Sequence, residues 1–179
     1  MTDSELSTAR FEQSNRQIDK LPPLRALVDA LDMKARKSLG QNFLFDLNLT
    51  RRIARSARPV TGTTIEIGPG PGGLTRAILL EGASDLIAIE KDRRVGNLLQ
   101  SLIAAADKRL TLVEDDAMTC PIWKMGASPR RIIANLPYNI ATTLLIKWLD
   151  HVSDFESMTL MFQREVALRI TARPGNSEY

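Results

Sequence analysis

The sequence predicts an α/β protein built on a parallel, doubly wound sheet. Three observations carry this. Short β-branched runs alternate with amphipathic helical stretches. The first run, Thr63 to Ile67, leads into a glycine-rich turn, Gly68-Pro69-Gly70-Pro71-Gly72-Gly73, and then a helical pattern. The later runs end on polar groups, at Glu90, at Glu114-Asp115-Asp116 and at Asn135. Ligands of open α/β sheets bind at such strand ends.

The bulk properties set the frame. A chain of 179 residues makes one domain, or one domain with an appendage. Its hydrophobic fraction of 44% and charged fraction of 25% are those of a globular chain. Neither a membrane-length apolar run nor a signal peptide's apolar core is present. Cys120 is the only cysteine, which excludes an internal disulfide and fits a reducing, cytoplasmic compartment. Cys and His ligands do not cluster, so no metal is expected.

In chain order, residues 1–20 are polar with scattered apolar residues (Leu6, Phe11, Ile18) and read as a flexible leader. Pro22-Pro23 opens a helix, because Leu24, Leu27, Val28 and Leu31 share one face. Residues 1–33 are therefore expected to be leader plus N-terminal helix, and 34–179 the main domain. From Met33 to Arg58 the charge is lopsided: Lys34, Arg36, Lys37, Arg51, Arg52, Arg55 and Arg58 face a single acid, Asp46. Gly40-Gln41-Asn42-Phe43 interrupts this window as a loop, and Asp46 can cap the helix that follows. Such a window suits a polyanion, and equally a solvated helix face.

Strands are expected at Thr63–Ile67, Asp85–Glu90, Leu110–Val113, Arg131–Ala134 and Met158–Phe162. Helices are expected through Leu74–Leu79, after Asp92, through Thr142–Leu149 and over Arg164–Ala172.

Gly68, Gly70 and Gly73 fit G-x-G-x-x-G between a strand and a helix. Alone, the pattern fits a dinucleotide site or any nucleoside cofactor whose backbone must approach a turn closely. Glu90 ends the second strand, where a carboxylate accepts hydrogen bonds from vicinal ribose hydroxyls. Asp116 follows the third, where an acceptor can read an adenine amino group. Asn135-Leu136-Pro137-Tyr138 then presents an amide, a proline turn and an aromatic ring at the end of the fourth strand.

This last stretch resembles the N-x-P-Y signature of S-adenosylmethionine-dependent amino-methyltransferases, and Glu66-Ile67-Gly68-Pro69-Gly70 resembles their E-x-G-x-G motif. The chemistry agrees. An exocyclic adenine nitrogen is a poor nucleophile because its lone pair is delocalised into the ring. Two neutral acceptors, the Asn135 side-chain oxygen and the Leu136 carbonyl, would make it more tetrahedral. Pro137 favours an extended Leu136, and Tyr138 offers a stacking face worth roughly 1–3 kcal/mol per base.

With Gly40-Gln41-Asn42-Phe43-Leu44, Ile89-Glu90-Lys91-Asp92, Asp115-Asp116-Ala117-Met118, Asn139-Ile140 and Gln163-Arg164-Glu165-Val166-Ala167 added, the chain from about Lys34 onward resembles the ribosomal RNA adenine dimethyltransferase family, in its bacterial small-subunit (kasugamycin-resistance) branch. The resemblance implies a Rossmann-like S-adenosylmethionine-dependent methyltransferase sheet with helices on both faces. It implies cofactor contacts from Asn42, Leu44, Gly68, Glu90, Asp116 and Asn135, and catalytic roles for Asn135, Leu136, Pro137 and Tyr138. The implied reaction dimethylates N6 of two adjacent adenosines in the 3′-terminal hairpin of 16S RNA. Lys34, Arg36, Lys37, Arg51, Arg52 and Arg55 would meet the RNA backbone. The small ribosomal subunit is the implied partner; the sequence does not fix the oligomeric state, and a monomer is the expectation when full length. The family continues into further strands and a small helical domain, so the sheet is expected to stop after about five strands, leaving the fifth as an apolar edge. Alternatives are a large-subunit methylase of the macrolide-resistance type, a non-catalytic RNA-binding assembly factor, and a nicotinamide-dependent oxidoreductase, which leaves N-L-P-Y unexplained.

Overall fold

The computed structural model describes residues 3–30, 43–58, 60–136 and 138–175. Lys34, Arg36, Lys37, Asn42 and Pro137, all expected at functional positions, lie outside them. So does the expected boundary between residues 33 and 34.

Five strands, β1 (Thr63–Ile67), β2 (Asp85–Glu90), β3 (Leu110–Glu114), β4 (Arg130–Asn135) and β5 (Ser157–Met161), form one parallel sheet in the order β3-β2-β1-β4-β5. Among the described residues seven α-helices accompany them: α1 (Asp3–Asp19), α2 (Leu24–Ala30), α3 (Leu47–Ser56), α4 (Gly73–Leu80), α5 (Arg94–Ala105), α6 (Ala141–Leu149) and α7 (Arg164–Thr171). Asp46 caps α3 as expected, its Oδ1 accepting from the N–H groups of Asn48 at 2.9 Å and Leu49 at 3.2 Å.

The central strands are apolar on both sides because helices cover both faces. Alternation along β4 shows the division. Ile133 packs with Leu74 and Ile78 of α4 and Leu99 of α5, whereas Ile132 and Ala134 pack with Leu144 and Trp148 of α6. Each fully buried Ile or Leu contributes on the order of 1.5–3 kcal/mol. Register aligns the carboxyl ends: Ile67 pairs with Ile89, and Glu90 with Glu114. β5 is an edge strand, half-buried along its length.

The flexible leader is corrected. Residues 3–19 form α1, which packs on α4 and α5. Ile18 is fully buried, and Ser14 Oγ donates to the Ala105 carbonyl at 2.6 Å. Buried Arg109 donates to Ser14 Oγ and Asn15 Oδ1, both at 2.8 Å, and its guanidinium lies 4.2 Å from the centroid of the Phe11 ring. The same guanidinium reaches the carbonyls of Leu79 at 3.1 Å and Ala83 at 3.2 Å. A buried charge needs such a full set of acceptors. The average polarity of residues 1–20 concealed that Phe11, Ser14 and Ile18 share one helical face.

The basic window is also redrawn. Arg55 and Arg58 pair with the buried carboxylate of Glu81 at 3.1 and 2.6 Å, and Arg51 lies 3.9 Å from it and 3.6 Å from Asp19. Much of this charge is balanced within the fold. Arg52 is exposed and makes no ion pair among the described residues.

Candidate functional site

A cavity opens at the carboxyl edge of the sheet, where the chain turns out of β1, β2, β3 and β4. Its wall includes Leu44, Gly68, Glu90, Asp116 and Asn135, five of the six residues expected to touch a cofactor. The sixth, Asn42, is outside the described residues.

The glycine turn forms the floor. Gly68 and Gly70 have φ of +67° and +51°, a region that side chains disfavour. The Gly68 N–H donates to the Ile89 carbonyl at 2.9 Å, tying the turn to β2. Gly73 opens α4 for a different reason: a Cβ there would stand 2.4 Å from the Leu44 carbonyl oxygen. Its bareness lets the Phe43-Leu44 backbone cross the start of the helix and wall the cavity.

Glu90 projects from the end of β2. Burial raises its pKa, opposed by the backbone N–H groups of Asp92 and Gly70; the Asp92 N–H donates to Oε1 at 2.8 Å. Asp116 behaves oppositely. Lys91 Nζ donates to its Oδ2 at 2.7 Å and the Met118 N–H to its Oδ1 at 2.9 Å, and together they hold the carboxyl below its ordinary range. A carboxylate has about four acceptor sites, so Asp116 retains capacity to accept from an amino group.

Glu66, the first residue of the E-x-G-x-G stretch, lines the same cavity. It is fully buried, and neither carboxyl oxygen makes a hydrogen bond of ordinary geometry. Burial pushes its pKa up to about 8, the Thr75 hydroxyl opposes this, and the nearby Glu90 charge adds to it. A buried acid without partners costs stability unless protonated or matched by an incoming donor. Asn139 and Ile140 also line the cavity and were missed as site residues. Their position just after Asn135–Tyr138 was the available signal.

The four residues expected to act on the target divide. Asn135 ends β4 in the cavity wall. Leu136 is 2% exposed and packs into the core, which anchors its backbone. Tyr138 is 44% exposed and borders a neighbouring groove with Phe162, Gln163 and Arg164. Pro137 lies outside the described residues. Cys120 is buried, Sγ 3.8 Å from Met125 Sδ, with its thiol pushed up to about 11 by burial.

A parallel sheet with a glycine turn after β1, an acid after β2, an acid after β3 and N-L-P-Y after β4 defines a Rossmann-like methyltransferase. The model of the family described as "Ribosomal RNA adenine dimethylase" matches residues 32–179, and the chain belongs to that family. It is 56% identical over 162 residues to the ribosomal RNA small subunit methyltransferase A of Rhodospirillum rubrum, covering 90% of this chain and 56% of that protein. Its identity to the protein of the same description from Paramagnetospirillum magneticum is 53% over 160 residues, covering 89% and 57%. Among solved structures it resembles a dimethyladenosine transferase from Plasmodium falciparum, with a TM-score of 0.66 and 29% identity over 77% of this chain and 49% of that one. The 23S rRNA methyltransferase ErmE gives a TM-score of 0.63 and 28% identity over 73% and 51%. The chain thus spans less than two thirds of the length of the curated relatives it matches. Family membership sets aside the nicotinamide-dependent oxidoreductase.

Proposed function

We propose that this chain carries the cofactor-binding and amine-activating part of an RNA adenine N6-dimethyltransferase. The cofactor is S-adenosylmethionine, and the targets are two adjacent adenosines in the 3′-terminal hairpin of small-subunit (16S) RNA. One observation supports this most: a single cavity joins the glycine turn, Glu66, Glu90 and Asp116 to Asn135. Greater identity to the small-subunit proteins than to ErmE favours the small-subunit target over the large-subunit one.

The residues present fit the cofactor. The bare glycine turn admits close backbone approach, Glu90 suits a ribose diol and Asp116 suits an adenine amino group. The unpartnered carboxyl of Glu66 suits an ammonium group. When bound, S-adenosylmethionine supplies an electrophilic methyl on a sulfonium. The protein's own work is on the amine. The target N6–H groups donate to the Asn135 side-chain oxygen and the Leu136 carbonyl, which draws the lone pair out of the ring. Tyr138 stacks on the unstacked base, whose extrusion costs a few kcal/mol. The methyl would pass from the bound cofactor to this nitrogen with loss of one N–H proton to solvent, while Glu90, Asp116 and the glycine turn would hold the cofactor in place. Positioning supplies most of the rate. Arg52, exposed and without an ion pair among the described residues, suits contact with the RNA backbone, as do Lys34, Arg36 and Lys37 by their charge.

The test is titration of S-adenosylmethionine into the chain, followed by transfer of a labelled methyl to undermethylated small subunits and mapping of the modified nucleotides. Saturable binding and label on paired adenosines support the proposal. Absence of cofactor binding sinks it, and label on nucleotides other than adenosine overturns the assigned target.

A further inference from the structure

Lys147 lies in the last turn of α6, outside the cavity lining, and belongs to none of the motifs above. Its Nζ donates to the Met118 carbonyl at 2.7 Å. The ammonium also lies 5.2 Å from the centroid of the Trp123 ring, which in turn stacks on His151 at 3.8 Å with an interplanar angle of 9°. The ring offers the cation an electrostatic seat that restricts where it can reach.

The turn it grips is the one that presents Asp116. Within that turn the Asp116 carbonyl accepts from the Thr119 and Cys120 N–H groups, each at 2.9 Å, and Asp116 Oδ1 accepts from Met118 N–H at 2.9 Å. Met118 therefore bonds the acid through its N–H and Lys147 through its carbonyl, on the two peptide groups that flank its Cα. Holding the second group limits the rotation of the first, and so the placing of the carboxylate. Lys147 also belongs to the helix that starts directly after Asn139-Ile140, in the wall beside Asn135. One side chain thus ties the turn at the end of β3 to the helix supporting the turn at the end of β4.

We propose that Lys147 is a positioning residue for adenine recognition. It holds the Met118 carbonyl, and with it the backbone of the turn, so that the Asp116 carboxylate faces the amino group of the cofactor's adenine, and it acts through Asp116 without touching the cofactor. This rests on the assignment of the cavity to S-adenosylmethionine. Lys91 pulls on the same carboxylate from β2, but its bond is to the acid itself and competes for the lone pairs that would read the base. Lys147 leaves those lone pairs available.

The experiment is calorimetric titration of two ligands into the chain. One is S-adenosylhomocysteine. The other is S-inosylhomocysteine, which carries a carbonyl where adenine has its amino group. The proteins are the unsubstituted chain, Lys147→Met, which keeps the stem but cannot donate, and Lys147→Arg, which can. The unsubstituted chain should prefer the adenosyl ligand. Lys147→Met should bind it about tenfold more weakly, the scale of one charge-assisted hydrogen bond, and lose much of the preference. Lys147→Arg should retain both. Adenosyl affinity in Lys147→Met within about twofold of the unsubstituted chain overturns the inference. An equal loss for both ligands also overturns it, since a merely structural role would weaken the two alike. If Lys147→Met does not fold, Lys147→Gln, too short to span the same gap, is read by the same criteria. If the unsubstituted chain binds neither ligand, the cofactor assignment itself fails, and the inference with it.

Discussion

Lys91 Nζ stands 2.7 Å from Oδ2 of Asp116, so the residue after the end of β2 grips the acid beyond the end of β3. Two neighbouring strands are thereby joined by side chains at the rim of the cavity. The pair is partly exposed, so its contribution to stability is small. Its effect on protonation is direct.

Asp116 should titrate below its ordinary value of 3.8, because Lys91 first and the Met118 N–H second favour the charged form. A depressed folded-state pKa contributes stability above the unfolded value, and that contribution is lost as pH falls through the folded one. Lys91→Met should therefore move the titration upward toward 3.8, read from the Asp116 carboxyl carbon by NMR. A midpoint unmoved by the substitution would assign the shift to the backbone alone.

Glu66 has the opposite sign. Its folded-state pKa is about 8 against 4.5, so the folded protein holds a proton that the unfolded chain releases between those values. Stability should fall as pH rises from 4.5 to 8, and the penalty is complete above 8. Glu66→Gln removes it. The variant should gain on the unsubstituted chain across that window, by roughly 2–4 kcal/mol at the alkaline end. Parallel stability curves in urea at pH 5 and pH 8.5 would show that Glu66 is not protonated in the fold.

Gly73→Ala should cripple ligand binding more than folding. The added Cβ would meet the Leu44 carbonyl oxygen at 2.4 Å, and this is backbone, which moves only by shifting the cavity wall. A loss of about tenfold or more in affinity for S-adenosylhomocysteine is expected. Affinity preserved in the alanine variant would show that the Leu44 backbone is not part of the binding surface.

Arg109→Met should detach α1. The substitution leaves Ser14, Asn15 and the carbonyls of Leu79 and Ala83 without their common donor. Leaving buried neutral acceptors of this kind unpaired costs about 1–3 kcal/mol each. Hydrogen exchange should accelerate across residues 3–19 ahead of the sheet. Uniform acceleration throughout the chain would mean that α1 is not separately anchored by this residue.

The sheet was legible almost residue by residue. β1 and β2 have the bounds that β-branched runs and flanking turns predict, and β4 extends one residue further at each end. Asp46, the glycine turn and the acids after β2 and β3 were equally plain, because a cap, a positive φ and a strand end each demand particular residues in short order. What could not be read depends on partners distant in the chain. Phe11, Ser14 and Ile18 acquire a purpose only beside Arg109. Arg51, Arg55 and Arg58 look like a polyanion surface until Glu81 arrives between them. Lys91 and Lys147 are ordinary lysines in the sequence, and their bonds to Asp116 and Met118 exist only once strand order is set.

β1 pairs on one side with β2, its neighbour in sequence, and on the other with β4, aligning Thr63 with Arg130 and Ile65 with Ile132. That second pairing must wait for loop closure across α4, β2, α5 and β3, an entropic cost met before any reward. The cavity is walled from all four of these strand ends, so it exists only in molecules that have completed the closure. Any ligand held there selects those molecules and stabilises them by RT ln(1 + [L]/Kd), about 2.7 kcal/mol at a hundredfold excess over Kd. Through the β1–β4 seam, the concentration of ligand becomes a control on how much of the chain is folded at all.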